Sequence, residues 1–205
     1  MTDAYKDIIH ILVEPELGEN TYIVERKNYV AVIDPGCEFS EIKAILDKTI
    51  KPLKYVLLTH GHVDHIKSAN SFPTEIIYAH EEEVQTLKTP SRNASLWTGK
   101  GIKVEGIKVF KGKVFTLDDG ITIYHTPGHT PGGVIIKINE ALFSGDTLFY
   151  DSIGRTDLPG GNSKEIQMSL KLIDALNKDA KVYPGHGDPF ILRDSYRVNY
   201  FLKNK

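Results

Sequence analysis

The sequence predicts a chain of mixed α and β structure. Short apolar runs recur along it, each closed by glycine, proline, asparagine or aspartate, which is the pattern of buried strands. Two longer segments, over 40–48 and 163–176, carry apolar residues at helical spacing. Between them, one apolar run ends in a turn dense in imidazole, Thr59-His60-Gly61-His62-Val63-Asp64-His65.

Taken in order, residues 8–13 form the first run, Leu17, Gly18, Glu19 and Asn20 make a turn, and 21–25 return as a second strand. Residues 29–33 are the third strand and end at Asp34-Pro35-Gly36, where proline fixes φ and glycine admits positive φ. Ser40 has the chemistry of an N-cap for a helix running to about residue 48, with Ile42, Ile45 and Leu46 on one face. Residues 53–58 form a buried strand that runs into the histidine turn, and Ile66, Ala69 and Phe72 mark a helix starting near Asp64. A short strand over 76–79 leads through His80 and Glu81-Glu82-Glu83 into a short helix through Leu87. His80, at a helix start among acidic residues, reads as structural. Pro90, Gly99, Gly101 and Gly106 interrupt the next stretch, and Trp97 within it is expected in the core. Strands then follow at 114–117, 121–125, 134–138 and 141–143, with turns at Asp118-Asp119-Gly120 and Asn139-Glu140. Ser163 is the expected N-cap of the second long helix, whose apolar face carries Met168, Leu170, Ile173 and Leu176. A strand at 181–183 and a closing helix within 190–205 complete the chain.

A net charge of -2 gives no electrostatic case for nucleic acid or an anionic membrane. No apolar run approaches the roughly 20 residues of a membrane span, and the first residues lack the basic and apolar regions of a signal peptide. Cys37 is the only cysteine, so it forms no internal disulfide, and it reads as a small loop residue. A cytoplasmic protein is the expectation. A length of 205 residues suits a single domain over 1–205.

Three imidazoles and a carboxylate within six positions, at the end of a buried strand, are costly to keep without a use. Imidazole nitrogen and carboxylate oxygen are the ligands preferred by zinc and its first-row neighbours. His60 and His62, two apart, can reach one point, while Asp64 and His65 project toward a second.

The HxHxDH pattern at a strand end resembles the signature of the metallo-β-lactamase superfamily. Thr126-Pro127-Gly128-His129-Thr130-Pro131-Gly132, Ser144-Gly145-Asp146-Thr147-Leu148-Phe149 and Tyr183-Pro184-Gly185-His186-Gly187 follow in the family's order. With Asp34-Pro35-Gly36 they span nearly the whole chain. The stretch Gly154-Arg155-Thr156-Asp157-Leu158-Pro159-Gly160-Gly161 is similar to that of single-domain glyoxalase II-like hydrolases. The resemblance implies an α+β fold, a four-layer αββα sandwich with metals at one edge between the sheets. It implies that His60, His62 and His129 hold a first divalent metal, that Asp64, His65 and His186 hold a second, and that Asp146 bridges. His125, on the strand before the turn, is set aside in favour of His129. Asp34 would brace the metal loop without ligating. Three ligands plus the bridge leave positions open for water and substrate, as catalytic sites do. Two metals, zinc before iron or manganese, would activate a shared water as hydroxide and polarise a carbonyl oxygen, with Asp64 and Asp146 as the catalytic carboxylates.

The implied reaction is hydrolysis of a thioester, S-acylglutathione and S-lactoylglutathione above all, so the expected partner is a small-molecule thioester. The sequence departs from two-domain glyoxalase II enzymes in several places. Their C-terminal helical, glutathione-binding region has no expected counterpart here. Asp188 stands two positions after His186, where the family usually places a glutathione-contacting tyrosine. After the bridging aspartate, Arg155 matches a lysine in charge and Asp157 replaces a tyrosine. Arg155 has two readings: a bidentate grip on a substrate carboxylate, or a loop-bracing ion pair with Asp157 or Asp151. The rival functions are an iron persulfide dioxygenase using His60, His129 and Asp146, a nuclease of the same superfamily, and a non-catalytic metal-binding module.

Overall fold

A computed structural model of the protein describes residues 6–117 and 120–203. Its strands form two six-stranded sheets. The first contains β1 (Ile8–Val13), β2 (Asn20–Glu25), β3 (Val30–Ile33), β4 (Leu53–Leu57), β5 (Ile77–His80) and β6 (Lys108–Phe110), side by side in chain order. β1, β2 and β3 pair antiparallel, and every later pair in this sheet is parallel. A parallel step needs a crossover. Helix α1 (Phe39–Leu46) lies in the first, α2 (Val63–Ile66) in the second and α3 (Val84–Lys88) in the third.

The second sheet is built from β7 (Val114–Thr116), β8 (Ile121–His125), β9 (Val134–Ile138), β10 (Ala141–Gly145), β11 (Lys181–Pro184) and β12 (Phe190–Ile191), in the order β12-β11-β10-β9-β8-β7. Only β10 and β11 run parallel, joined through α4 (Ser163–Asp174). Helices α5 (Leu192–Val198) and α6 (Tyr200–Lys203) end the described chain.

Alternation along the strands sorts the apolar residues into three cores. Tyr22, Ile33, Leu57, Ile136, Phe143 and Tyr183 fill the space between the sheets. Val32, Val56 and Ile77 point the other way and meet Ile42, Ile66 and Leu87 from the first set of helices. Ile135, Leu142 and Val182 meet Leu170, Ile173, Leu192 and Leu202 from the second set. Strands buried on both faces are what the unbroken apolar runs of the sequence encode. The architecture is the α+β, αββα sandwich that the resemblance implies. Among the described residues, no helix is long and apolar enough to cross a membrane.

The structure corrects several local expectations. Ser40 lies inside α1, whose N-cap position is Glu38 and has no side-chain cap. Asn162, rather than Ser163, caps α4, its Oδ1 accepting from the Lys164 and Glu165 N–H groups at 3.0 and 3.3 Å. Trp97 is 71% exposed, because it rides on a single 3-10 turn between left-handed Ala94 and Gly99. β6 was not foreseen, and the tail divides into β12, α5 and α6. The Asp118-Asp119-Gly120 turn lies partly outside the described residues. Cys37 is buried, and burial pushes its thiol up to about 11.

Candidate metal centre

β3 and β4 are parallel, as are β10 and β11, so each pair delivers its C-terminal loops to one side. The loops meet at a single edge of the sandwich. The Val134 N–H donates to Thr59 O at 2.9 Å and the Asn20 N–H donates to Gly185 O at 2.7 Å, tying the sheets together there. Ligand atoms of His60, His62 and His129 lie within 4.8 Å of one another, and so do those of Asp64, His65 and His186. Asp146 stands between the groups. Its Oδ1 is 3.4 Å from His65 Nε2, and its Oδ2 is 3.5 Å from His129 Nε2 and 3.7 Å from His186 Nε2. Close approach depends on Gly185, where a Cβ would stand 2.1 Å from Asp146 Oδ1.

Hydrogen bonds on the far side of the rings decide which nitrogens are free. His129 Nδ1 is 2.8 Å from Arg155 O and His186 Nδ1 is 3.2 Å from Leu17 O. A carbonyl only accepts, so both Nδ1 atoms carry hydrogen. His65 Nδ1 donates to Asp34 Oδ2 at 2.9 Å. The Thr59 hydroxyl donates to the same carboxylate and accepts from His60 Nδ1 at 3.1 Å. The Thr59 N–H donates to Asp34 Oδ1 at 2.7 Å. Asp34 therefore spends its oxygens on bracing, and Nε2 of His60, His65, His129 and His186 turns toward the site. Such outer hydrogen bonds orient metal-binding imidazoles. His62 Nδ1 faces His129 Nε2 at 2.9 Å, a separation that suits one shared proton or one shared cation.

The two groups differ electrically. Burial, then the neighbouring imidazoles, holds His60 well below the ordinary histidine range and takes His62 down to about 3. Both present lone pairs at neutral pH. Burial also works against charge on His65, yet Asp64, Asp146 and Asp34 outweigh it and raise that ring well above its ordinary value. His186 is raised despite burial, by Asp64 and Asp146. Burial opposes charge on Asp146 too, but His65 keeps its carboxyl below the usual range. The edge thus offers neutral nitrogen on one side and a field that favours cations on the other.

Donor chemistry fits divalent metals. Among the described residues, Nε2 of His60 and of His65 and Oδ1 of Asp146, which all turn into the site, are buried without a hydrogen-bond partner. Each such atom costs on the order of 1–3 kcal/mol unless something satisfies it. A further group away from this edge, His80, Glu82 and His125, has similar spacing but different geometry. The His80 and His125 rings stack 3.8 Å apart at 12°, and parallel rings cannot aim in-plane lone pairs at one point. His80 accepts from the Glu82 N–H and contacts Gly112 O, and His125 donates to Pro131 O. Both therefore stay structural, as their positions in the sequence suggest.

Arg155 lies at the rim in a bidentate pair with Asp157, at 2.7 Å for each bond. Sequence reading missed Thr59 and Glu83, both buried polar residues bonded to the site's loops.

A family profile described as the metallo-beta-lactamase superfamily matches residues 15–186. The chain belongs to the metallo-β-lactamase superfamily. This superfamily member is 36% identical, over 97% of its length and 89% of the other protein, to a Streptococcus pyogenes protein named Probable metallo-hydrolase. It is 33% identical to hydroxyacylglutathione hydrolase GloC of Haemophilus influenzae, over 88% of this chain and 90% of that one. A structure of the protein TTHA1623 in a di-iron-bound form superposes with a TM-score of 0.83 at 32% identity, covering 94% of this chain and 100% of that one. Membership in the superfamily implies divalent metal ions and supports a metal-dependent hydrolase.

Proposed function

We propose that this superfamily member is a thioesterase that uses two divalent metal ions on S-acylglutathione, with S-lactoylglutathione as the lead substrate. The observation that carries this is the pair of three-ligand groups facing each other across Asp146. In this reading His60, His62 and His129 would hold one ion, Asp64, His65 and His186 would hold the other, and Asp146 would serve both groups. Bound there, the ions would lower the pKa of water and polarise a thioester carbonyl. Asp34 and Thr59 keep the imidazoles aimed, so little reorganisation accompanies binding. A thiolate leaves readily, and no serine or cysteine nucleophile is needed.

A groove of about 320 Å³ opens beside Asp64. Leu17, Val63 and Ile102 give it an apolar side suited to an acyl or thiol chain. Lys67 in its wall is engaged by Glu14 and Glu38, at 3.4 and 3.0 Å, and Lys100, in a wall that also carries Glu16, is the lysine we assign to a substrate carboxylate. The relative named hydroxyacylglutathione hydrolase supports glutathione as the thiol.

The test is hydrolysis of S-lactoylglutathione by metal-stripped protein, before and after addition of zinc, manganese or anaerobic iron(II). Restored turnover near a kcat/KM of roughly 10⁴ M⁻¹s⁻¹ or above is expected. Protein that binds two ions but turns over nothing would move the substrate away from glutathione thioesters. A single bound iron with oxygen uptake on glutathione persulfide would replace the hydrolase with the dioxygenase.

A further inference from the structure

Glu83 is a buried carboxylate at the head of α3, an element that contributes no candidate ligand. Its Oε1 accepts from the N–H of Gly61, the residue between His60 and His62, at 2.8 Å. Its Oε2 accepts from the Thr130 hydroxyl and the Gly132 N–H, also at 2.8 Å each. Thr130 follows directly on His129. One side chain therefore joins the loop leaving β4 in the first sheet to the loop between β8 and β9 in the second.

The approach is close by construction. A Cβ on Gly132 would stand 2.3 Å from the Glu83 nitrogen, so only glycine lets that loop come so near. Backbone N–H groups can only donate, and one points at each carboxylate oxygen. Burial pushes the carboxyl up to about 7, while bonds from Thr130, Gly132, Gly61 and Thr86 pull it back toward the charged form.

We propose that Glu83 is a positioning residue that clamps the His60–His62 loop to the His129 loop and so preforms the first metal triad. It has this role only if the triad binds metal as proposed above. A clamp of this kind holds His62 Nδ1 and His129 Nε2 at their 2.9 Å separation before any cation arrives. Ligands held in place beforehand lose less freedom on binding. Glutamine is the diagnostic replacement. Whichever way its amide is turned, the NH₂ group meets a backbone N–H, from Gly61 or from Gly132, and one half of the clamp opens.

The experiment measures zinc affinity by chelator competition in two single-site backgrounds of the full chain. His186→Ala disables the second group and His129→Ala disables the first. Adding Glu83→Gln to His186→Ala is expected to weaken zinc binding about 10–100-fold, as loss of an outer hydrogen-bonding partner does. Adding it to His129→Ala is expected to leave zinc binding unchanged, because the clamp does not reach Asp64, His65 or His186. Thr130→Val, which deletes one bond and is milder, should shift affinity in the same background and direction. It takes over as the test should Glu83→Gln fail to fold. Equal affinities with and without the clamp would overturn the proposal, and so would equal losses in both backgrounds, since those report general loosening. Wild-type protein that binds no zinc would remove the metal reading itself, and the clamp with it.

Discussion

Asp64 and Asp146 lie in the same field of imidazoles, but only Asp64 sits wholly within the second group. Its Oδ2 is 3.2 Å from His186 Nε2 and 3.7 Å from His65 Nε2. Asp64→Ala should therefore lower affinity for the second ion and remove most hydrolysis, while circular dichroism shows a folded chain. Full activity in this variant would rule out a two-ion mechanism. Arg155 calls for a different experiment. Its guanidinium is engaged by Asp157, which the contact takes down to about 2, while its backbone carbonyl orients His129. Alanine keeps that carbonyl. Arg155→Ala is accordingly expected to change KM alike for an anionic and a neutral thioester, as a loop brace would. A rise confined to the anionic substrate would show that Arg155 leaves Asp157 to grip a carboxylate. All seven candidate ligands were legible from the spacing of histidine and aspartate and from the family resemblance. Thr59 and Glu83 were not. Their partners are backbone groups and side chains brought close only by tertiary folding, and periodicity carries no trace of that.

At the level of strands and helices, the apolar runs marked nearly every strand, because burial on both faces leaves an unbroken hydrophobic signal. β6 escaped because Lys108 and Val109 are exposed and only Phe110 is buried. Helix starts were less legible, since serine and asparagine are near-equal caps and the choice falls to the local backbone. The junction of β5 with the turn before α3 provides a test of its own. His80 accepts from the Glu82 N–H as a cap and stacks on His125. Burial, and then His125, lowers its pKa. As pH falls, the unfolded chain takes up this proton first, at about 6.5. The contribution to stability is thus complete above that pH and is lost as pH falls toward the depressed folded value. His80→Asn keeps a capping acceptor without the titration. Urea unfolding of metal-free protein should show wild type losing stability more steeply than His80→Asn as pH falls below about 6.5. Parallel pH profiles would show that the stacked pair does not contribute to acid sensitivity.

Across the whole molecule, the candidate metal edge and the core between the sheets depend on each other. His60, His62, Asp64 and His65 leave the first sheet, while His129, Asp146 and His186 leave the second, so an ion held by either three-ligand group would cross-link the two. The same sheets are joined inside by Tyr22, Phe143 and Tyr183, with Phe143 centred 5.1 Å from each of the other rings. Two strand-rich halves, over 1–80 and 107–190, suit two packed sheets, but the αββα arrangement was readable only through the family motifs, because alternation and helical spacing do not say which strands share a sheet. Phe143 is fully buried, and Phe143→Ala should cost about 3–5 kcal/mol in metal-free protein. That is a large part of the roughly 5–15 kcal/mol typical of a folded domain. The cavity would open three residues before Asp146, yet the aspartate is positioned by loop contacts and by Gly185 rather than by the ring. Zinc at about a hundred times its Kd should consequently add about 2.7 kcal/mol per filled site to wild type and to Phe143→Ala alike. Urea unfolding with and without zinc measures both terms. A zinc increment that vanishes in Phe143→Ala would mean that the edge cannot form without the core. An increment absent from both proteins would mean that the two sheets share no metal.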